Sequence, residues 1–149
     1  MSKTLYLRKI IQDDWKVLLE WRNDALTRQN FHSSELVNDN EHKKYIKDTI
    51  DKSEREQFIM EYNGIAVGTI REDLCENLQF KLSYTINPLF RGKKIGQIMI
   101  GLYLIDRTGV FICEVKKDNI ASVKMIKKVG FEFFAKEKDI DIYKLSKEN

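Results

Sequence analysis

The feature that most constrains the fold is an Asn-Gly pair, Asn63-Gly64, that lies between two mainly apolar runs at 57–62 and 65–70. Asparagine and glycine suit a tight two-residue turn because both central positions of that turn need a positive φ. The segment therefore predicts a β-hairpin. Apolar and polar residues then alternate at 78–86, which adds a third strand and predicts an antiparallel meander.

Helical and strand patterns flank this meander. Those before it predict a strand at 4–10, a helix from Asp14 to about Asp24 and a partly helical substrate loop at 24–36. They also predict a helix that begins after 38–40 and ends in a charged loop around 52–54. Those after it predict a helix at 98–105, a buried strand at 111–115, a helix from Asp118 to Gly130 and strands at 131–134 and 140–145. The chain shows neither an internal repeat nor an interdomain linker, so we expect one domain over 1–149.

Composition narrows the class of protein. The 149 residues are 42% hydrophobic and 33% charged, which excludes disordered and collagen-like chains. The net charge of +3 is too small to predict a nucleic-acid partner. No window approaches the about 20 apolar residues of a membrane span, and the first residues lack the apolar core of a signal peptide. We therefore expect a soluble, cytoplasmic protein without a membrane partner.

The two cysteines, Cys75 and Cys113, predict neither a disulfide framework nor a metal site. Their spacing does not match that of metal ligands, and Cys113 lies in an apolar run at 110–113. We expect two buried free thiols.

The segment 91–96, with the sequence Arg-Gly-Lys-Lys-Ile-Gly, is the strongest candidate for binding chemistry. It follows a strand that ends at Pro88 and precedes a helix. Glycines let the backbone approach an anion closely, and the free amides and dipole of a helix start favour a phosphate. A basic turn with a solvated face is the alternative interpretation. The Walker and dinucleotide-binding patterns are absent, which argues against nucleotide hydrolysis and nicotinamide binding.

Two segments carry a resemblance to a known family. The run 91–96 resembles the pyrophosphate loop of the GNAT acetyltransferase superfamily, and Asn119-x-x-Ser122, followed by Gly130-Phe131, resembles its second signature. The predicted order of strands and helices is also similar to that of the superfamily along essentially the whole chain. The resemblance implies an α/β fold with a mostly antiparallel central sheet flanked by helices.

The resemblance also implies acetyl transfer from acetyl-CoA to an amine by direct attack in a ternary complex, without a metal. Three groups of residues would bind the cofactor: Thr85, Ile86 and Asn87 at a strand end; Arg91, Gly92, Lys93, Lys94, Ile95, Gly96 and Gln97 in the loop; and Asn119, Ser122 and Met125 on the later helix. A backbone amide at the strand end would polarise the thioester carbonyl. Asn119 is equally well explained as a helix cap, and the two roles are compatible.

The sequence departs from the family pattern at three positions. Lys94 replaces a loop glycine, which is tolerable where that residue has ordinary helical dihedrals. Ile126 stands where many relatives carry the tyrosine that protonates the departing thiolate, and Lys81 stands where relatives often carry a glutamate. The acid is therefore open among Tyr84, Tyr103 and solvent, and the base is open among Glu72, Asp73 and His42.

The acceptor is suggested by a second resemblance. The segments Trp21-Arg22-Asn23-Asp24 and Glu41-His42-Lys43-Lys44-Tyr45 are similar to a pattern in acetyltransferases of nucleotide-linked amino sugars, as in pseudaminic acid pathways. The aromatic ring would stack on the sugar or base, the arginine would bind phosphates, and the histidine would lie near the amine. In the alternative interpretation, Trp21 is a core residue, Arg22 and Asn23 end a helix and His42 is exposed.

Two other functions stay open at this point. One is a RimJ/RimL-like acetyltransferase of protein N-termini or small amines such as polyamines. The other is a CoA-binding module with little catalysis, because both usual proton-transfer positions are replaced. Relatives often pair through their last strands, and the apolar run 131–134 permits a homodimer.

Overall fold

The computed structural model describes residues 4–31 and 34–148, which form a seven-stranded sheet flanked by five helices. The strands lie in the order β1-β2-β3-β4-β5-β7-β6, and only β4 and β5 pair in parallel. The strands are β1 (Leu5–Lys9), β2 (Arg55–Tyr62), β3 (Ile65–Leu74), β4 (Phe80–Ile86), β5 (Gly109–Lys116), β6 (Glu132–Glu137) and β7 (Ile140–Lys147). The helices are α1 (Trp15–Asn23), α2 (Ala25–Asn30), α3 (Asp39–Asp51), α4 (Ile95–Leu104) and α5 (Ile120–Val129). The predicted mixed, mostly antiparallel sheet is confirmed.

The hairpin that organised the sequence prediction joins β2 to β3. Asn63 and Gly64 have φ values of 50° and 83°, the positive values that the predicted turn needs. Tyr62 pairs with Ile65 across the turn. The predicted hairpin is therefore confirmed.

Helices cover both faces of the sheet, because successive residues of a strand point to opposite sides. Along β2, Phe58 and Met60 join the larger core with α4 and α5, whereas Ile59 joins a second core with α1 and α3. The sheet therefore has two buried faces, and each face has its own apolar core.

Two sequence predictions are refined by the structure. The segment predicted as a partly helical loop contains α2, while residues 32 and 33 lie outside the described residues. Cys113 is buried as predicted, but Cys75 is only partly buried. Within residues 4–31 and 34–148, none of the helices combines the length and the apolar character that crossing a membrane requires.

Candidate active site

A cleft opens where the two parallel strands separate. β4 and β5 are paired only from Phe80 to Leu82 on one strand and from Phe111 to Cys113 on the other, and both strands continue beyond that register. The opening forms a cleft of about 490 Å³ whose walls include α2, the loop 91–94, the start of α4 and part of α5. The fold thus places the predicted phosphate loop and the second signature helix on the same cavity.

The loop before α4 makes a left-handed turn at two positions. Gly92 has a φ of 76°, and Lys94, the N-cap of α4, has φ 63° and ψ 21°. Ordinary helical dihedrals, the condition under which a lysine at this position would be tolerable, are therefore not observed at Lys94. A left-handed conformation suits glycine and disfavours a lysine.

Glycine at position 96 permits a close contact between α4 and α5. A Cβ atom placed there would lie 3.1 Å from the terminal methyl carbon of Met125, which is tighter than an ordinary contact. Because Gly96 has no side chain, the first turn of α4 approaches α5 closely at the cleft.

Most of the residues predicted to bind the cofactor line this cleft. These are Thr85, Ile86, Arg91, Gly92, Lys94, Ile95, Gly96, Gln97, Asn119, Ser122 and Met125. Asn87 and Lys93 do not line it. The Asn87 amide donates to the Ala66 carbonyl at 3.0 Å and accepts from the Leu89 amide at 3.1 Å, so it fixes the end of β4. The Lys93 ammonium lies 5.4 Å from the centre of the Phe90 ring.

Arg91 reaches from the loop to the start of α2. Its Nη2 atom donates to the Asp24 carboxylate and, at 3.0 Å, to the Thr27 hydroxyl. Asp24 also caps α2, because it accepts from the Thr27 backbone amide at 3.1 Å. Arg91, which is predicted to bind the pyrophosphate, is thus ion-paired with Asp24, a residue to which the sequence analysis gave no role in the site.

Tyr84 and Ser122 meet across the cleft. Their hydroxyl groups are hydrogen bonded, and burial raises the pKa of Tyr84 above its ordinary value, so the phenol stays protonated at neutral pH. The Asn119 side chain accepts from the Ser122 amide at 3.3 Å, which confirms its predicted role as a helix cap. Ile126 is fully buried in the larger core.

A smaller cavity of about 200 Å³ adjoins the cleft, and both are lined by Phe31, Arg71, Ser83, Tyr84 and Thr85. His42 lines this second cavity and is only 5% exposed, and its Nε2 atom has no hydrogen-bond partner among the described residues. Burial and, next, the charge of Arg22 lower the pKa of His42 below its ordinary value. The imidazole is therefore neutral at neutral pH and available as a proton acceptor.

Two arginines give the second cavity a positive character. Arg22 and Arg71 line it, and none of its described lining residues is an aspartate or glutamate. Arg71 is held from three sides, because it donates to the Asp73 carboxylate at 2.8 Å, to the Tyr45 hydroxyl at 2.9 Å and to the Ser83 hydroxyl at 3.4 Å. Asp73 balances the charge of Arg71, and Arg22 adds positive charge to the cavity, which suits a ligand that carries negative charge.

The other residues predicted to bind the acceptor have structural contacts. Trp21 is 3% exposed and belongs to the second core, although it also lines the second cavity. Asn23 lines neither cavity, because its side chain makes two hydrogen bonds of 2.8 Å with the backbone of Val37. The position of Asn23 does not support the predicted substrate contact, since its amide is used to fix the segment before α3.

Glu72 also has a structural position instead of the predicted catalytic one. Its carboxylate accepts a hydrogen bond from the Tyr103 hydroxyl and lies 3.7 Å from Arg107. Neither Glu72 nor Tyr103 lines the cleft or the second cavity. Because Glu72 alternates with Arg71 along β3, its side chain points to the α4 face while Arg71 faces the second cavity. Of the predicted catalytic residues, the structure brings only His42 and Tyr84 to the cavities.

The sequence analysis missed Arg71 and Ser83 as lining residues of the second cavity, whereas Tyr45 belongs to the acceptor pattern that it named. The period of two along β3 and β4 indicates which strand residues share a face, so Thr69 and Arg71 could have been grouped. That period does not indicate which face carries a cavity. Lys81 was noted as a departure, and its ammonium lies 3.8 Å from the Glu114 carboxylate at the cleft.

Comparisons with known proteins agree with this geometry. A family model described as an acetyltransferase (GNAT) domain matches residues 4–132. A domain from Methanocaldococcus jannaschii DSM 2661 has 22% identity and a TM-score of 0.83, with 97% of this chain and 99% of that one covered. RimL, a ribosomal L7/L12 alpha-N-protein acetyltransferase in complex with coenzyme A, has 17% identity, coverage of 97% and 95% and a TM-score of 0.83.

A variant of the spermidine N-acetyltransferase SpeG from Vibrio cholerae is also similar in structure. It has 15% identity and a TM-score of 0.78, and 95% of this chain and 93% of that chain are covered. The comparison with curated proteins found no match. At these sequence identities the solved structures establish only the fold. The family assignment follows from the family model that matches residues 4–132.

Proposed function

The chain belongs to the GNAT acetyltransferase family and uses acetyl-CoA, and we propose that its acceptor is the primary amine of a nucleotide-linked amino sugar. In this proposal the cofactor lies in the cleft and the amine enters the second cavity. The observation that carries it is His42, a buried imidazole whose Nε2 atom has no hydrogen-bond partner among the described residues. It lies in a cavity that shares a wall with the cleft.

The cleft suits coenzyme A because it combines an anion site with a long, partly apolar groove. The first amides of α4, together with Lys94 and Arg91, would hold the diphosphate. Residues 85 and 86 of β4 would contact the pantetheine arm beside Met125. Acetyl-CoA supplies an acetyl group that is already activated as a thioester.

The proton transfers are assigned from the positions of His42, Tyr84 and Ser122. As the bond from carbon to nitrogen forms and the bond from carbon to sulfur breaks, His42 takes the proton that the amine loses. The hydrogen-bonded hydroxyl groups of Tyr84 and Ser122 would return a proton to the leaving sulfur. A CoA thiol has a pKa close to the about 8.5 of cysteine, so this acid accelerates a step that does not strictly need it.

The charge of the second cavity supports an anionic acceptor. Arg22 and Arg71 attract a phosphate or carboxylate, and the aromatic rings of Phe31 and Tyr45 offer surfaces for stacking. A polyamine would bring several positive charges into a cavity whose described lining holds no carboxylate. A protein N-terminus, the acceptor that the name of RimL indicates for that protein, is the second candidate.

We also propose that two copies of the chain pair through their last strands. β6 is an edge strand of the sheet, and Phe133 and Phe134 on it are 56% and 60% exposed. An exposed apolar edge of this kind favours pairing with a second copy. Light scattering of the wild type and of a Phe134→Lys variant tests this, and a monomeric wild type would refute it.

The acceptor is tested with a panel assay. The purified protein and acetyl-CoA are incubated with amino-sugar nucleotides, the corresponding amino sugars without nucleotide, N-terminal peptides and spermidine, while thiol release and product mass are measured. We expect the highest kcat/KM with an amino-sugar nucleotide. Preferred turnover of spermidine would refute the charge argument, and preferred turnover of peptides would support the RimL-like alternative.

Two variants tie the panel to the residues. His42→Gln preserves the size of the side chain but removes the base, and we expect kcat to fall by about 10²-fold or more. Arg22→Gln should raise the KM of the anionic acceptor by about tenfold and leave the KM of acetyl-CoA unchanged, since Arg22 lines only the second cavity. Wild-type kcat in His42→Gln would refute its role as the base.

A further inference from the structure

Helix α2 is fixed at both of its ends to walls of the cofactor cleft. At its start, Asp24 caps the helix and forms the ion pair with Arg91 of the phosphate loop. At its end, the Lys116 ammonium donates to the carbonyl oxygen of Gln29 at 2.9 Å, and Lys116 is the last residue of β5. This six-residue helix therefore bridges the two sides of the cleft.

Arg91 keeps part of its guanidinium free for a ligand. Its Nη2 atom makes both bonds to the α2 side, whereas Nε and Nη1 make no hydrogen bond with the described residues. Arg91 also lines the cleft. A guanidinium carries five N–H donors in a planar fork, so one edge can hold a carboxylate while another holds a phosphate oxygen.

The end of α2 leads directly to the second cavity. Phe31 follows the last residue of α2 and lines both the cleft and the second cavity. Its ring centre lies 4.3 Å from the guanidinium carbon of Arg22, which also lines the second cavity. The position of α2 therefore determines part of the wall against which the acceptor would lie.

We propose that Asp24 is a positioning residue that couples the two cavities. Asp24 holds Arg91 in the orientation that binds the diphosphate of coenzyme A. Because Arg91 then contacts both the diphosphate and Asp24, it fixes the position of α2 and, through Phe31, the wall of the second cavity. The inference rests on the proposed function in that it needs coenzyme A in the cleft. Coupling of this kind is reciprocal. The factor by which bound coenzyme A strengthens acceptor binding must equal the factor by which a bound acceptor strengthens coenzyme A binding.

The test is amide hydrogen exchange in peptides that cover residues 24–31, with and without saturating coenzyme A. In the wild type we expect coenzyme A to slow this exchange at least about fivefold, the lower end of typical coupling factors. Asp24→Asn keeps an oxygen that can cap α2 but removes the ion pair. In that variant we expect saturating coenzyme A to slow the exchange less than about twofold, since only direct contacts with the ligand remain.

Matched variants separate the coupling from a general loss of charge or structure. Lys93→Gln removes a charge from the same loop without touching α2, and it should keep the full protection once coenzyme A is saturating. Arg91→Gln should lose the protection as Asp24→Asn does, and the double variant should show no further loss. Arg91→Gln leaves the Asp24 cap of α2 in place. Loss of protection in Arg91→Gln therefore points to the ion pair even where Asp24→Asn destabilises the ligand-free helix.

The results distinguish failure of the inference from failure of the proposed function. Equal protection in the wild type and in Asp24→Asn, at saturating coenzyme A, would overturn the positioning role while leaving the cofactor site intact. Binding of coenzyme A without any protection of 24–31 would also overturn it. Absence of coenzyme A binding in calorimetry would overturn both proposals.

Discussion

Replacement of Lys94 by glycine should stabilise the protein, although it removes a side chain from a binding loop. Lys94 has φ 63° and ψ 21°, and the left-handed conformation costs a residue with a Cβ about 1–2 kcal/mol. Glycine avoids this strain but loses about 0.5–1 kcal/mol through the greater freedom of the unfolded chain. The net gain is about 0.5–1 kcal/mol, which corresponds to a rise in Tm of about 2–3 °C for a chain of this size.

The assay compares Lys94→Gly with Lys94→Ala by calorimetric melting. Both variants remove the same charge, but alanine keeps the Cβ and therefore the strain. The difference in Tm between them thus measures the cost of the left-handed backbone conformation at residue 94. Lys93→Gly is the second control, because Lys93 is not among the described residues with positive φ and glycine there should destabilise. A Lys94→Gly variant that melts no higher than Lys94→Ala would refute the strain argument.

The same pair of variants separates strain from binding. Each loses one positive charge at the cleft, and each should bind coenzyme A about tenfold more weakly, as expected for one lost charged hydrogen bond. We expect coenzyme A binding to weaken equally in the two variants and Tm to be higher in Lys94→Gly alone. That result would show that the Lys94 side chain contributes to binding while its left-handed backbone lowers the stability of the protein.

The remaining predictions concern His42, Lys147 and two glycines, Gly68 and Gly101. Because the pKa of His42 is lowered, kcat/KM should stay constant as the pH falls to about 6.5, the ordinary pKa of histidine, and should drop only below it. A decline in kcat/KM that starts above pH 7 would contradict this. The same shift favours the neutral folded form, so the free energy of unfolding should decrease once the pH falls below about 6.5, and His42→Gln should lose that dependence. The Lys147 ammonium donates to three backbone carbonyls at and after the end of α4, so Lys147→Met should lower the free energy of unfolding by about 1–2 kcal/mol in denaturant titrations. A Cβ atom at Gly68 would lie 3.0 Å from the Met99 sulfur, so Gly68→Ala should destabilise by about 1–3 kcal/mol, whereas Gly101→Ala in the open interior of α4 should stabilise by about 1 kcal/mol.

The sequence predicted the elements of this fold well because local chemistry determines them. The Asn63-Gly64 turn needs only its own two residues and the strands beside it, and the start of α5 needs only the Asn119 cap. Most of the predicted cofactor residues line the same cleft, since consecutive residues of one loop and one helix turn stay together in any fold that contains them.

The side chains that the sequence misplaced depend on contacts between distant elements. Asn23 is bound to the backbone of Val37 instead of facing a substrate. Arg91 lines the cleft as predicted, but nothing in the sequence indicated its ion pair with Asp24, which lies 67 positions away. Glu72 was a reasonable base by residue type, but the side of the sheet on which it lies depends on where α4 packs. Periodicity groups the residues of one face, whereas only the packing of helices decides which face holds a cavity.

The charges around His42 also constrain the acceptor. An amine enters as an ammonium ion, and two arginines in the second cavity raise the energy of that ion before His42 can remove a proton. The same arginines lower the pKa of the bound amine, which favours the neutral nucleophile once the amine is inside. In the proposed function, an anionic group on the acceptor would interact with the arginines while the amine faces His42. We therefore expect an acceptor with its negative charge a few bonds from the amine to be turned over faster than a polyamine of similar size.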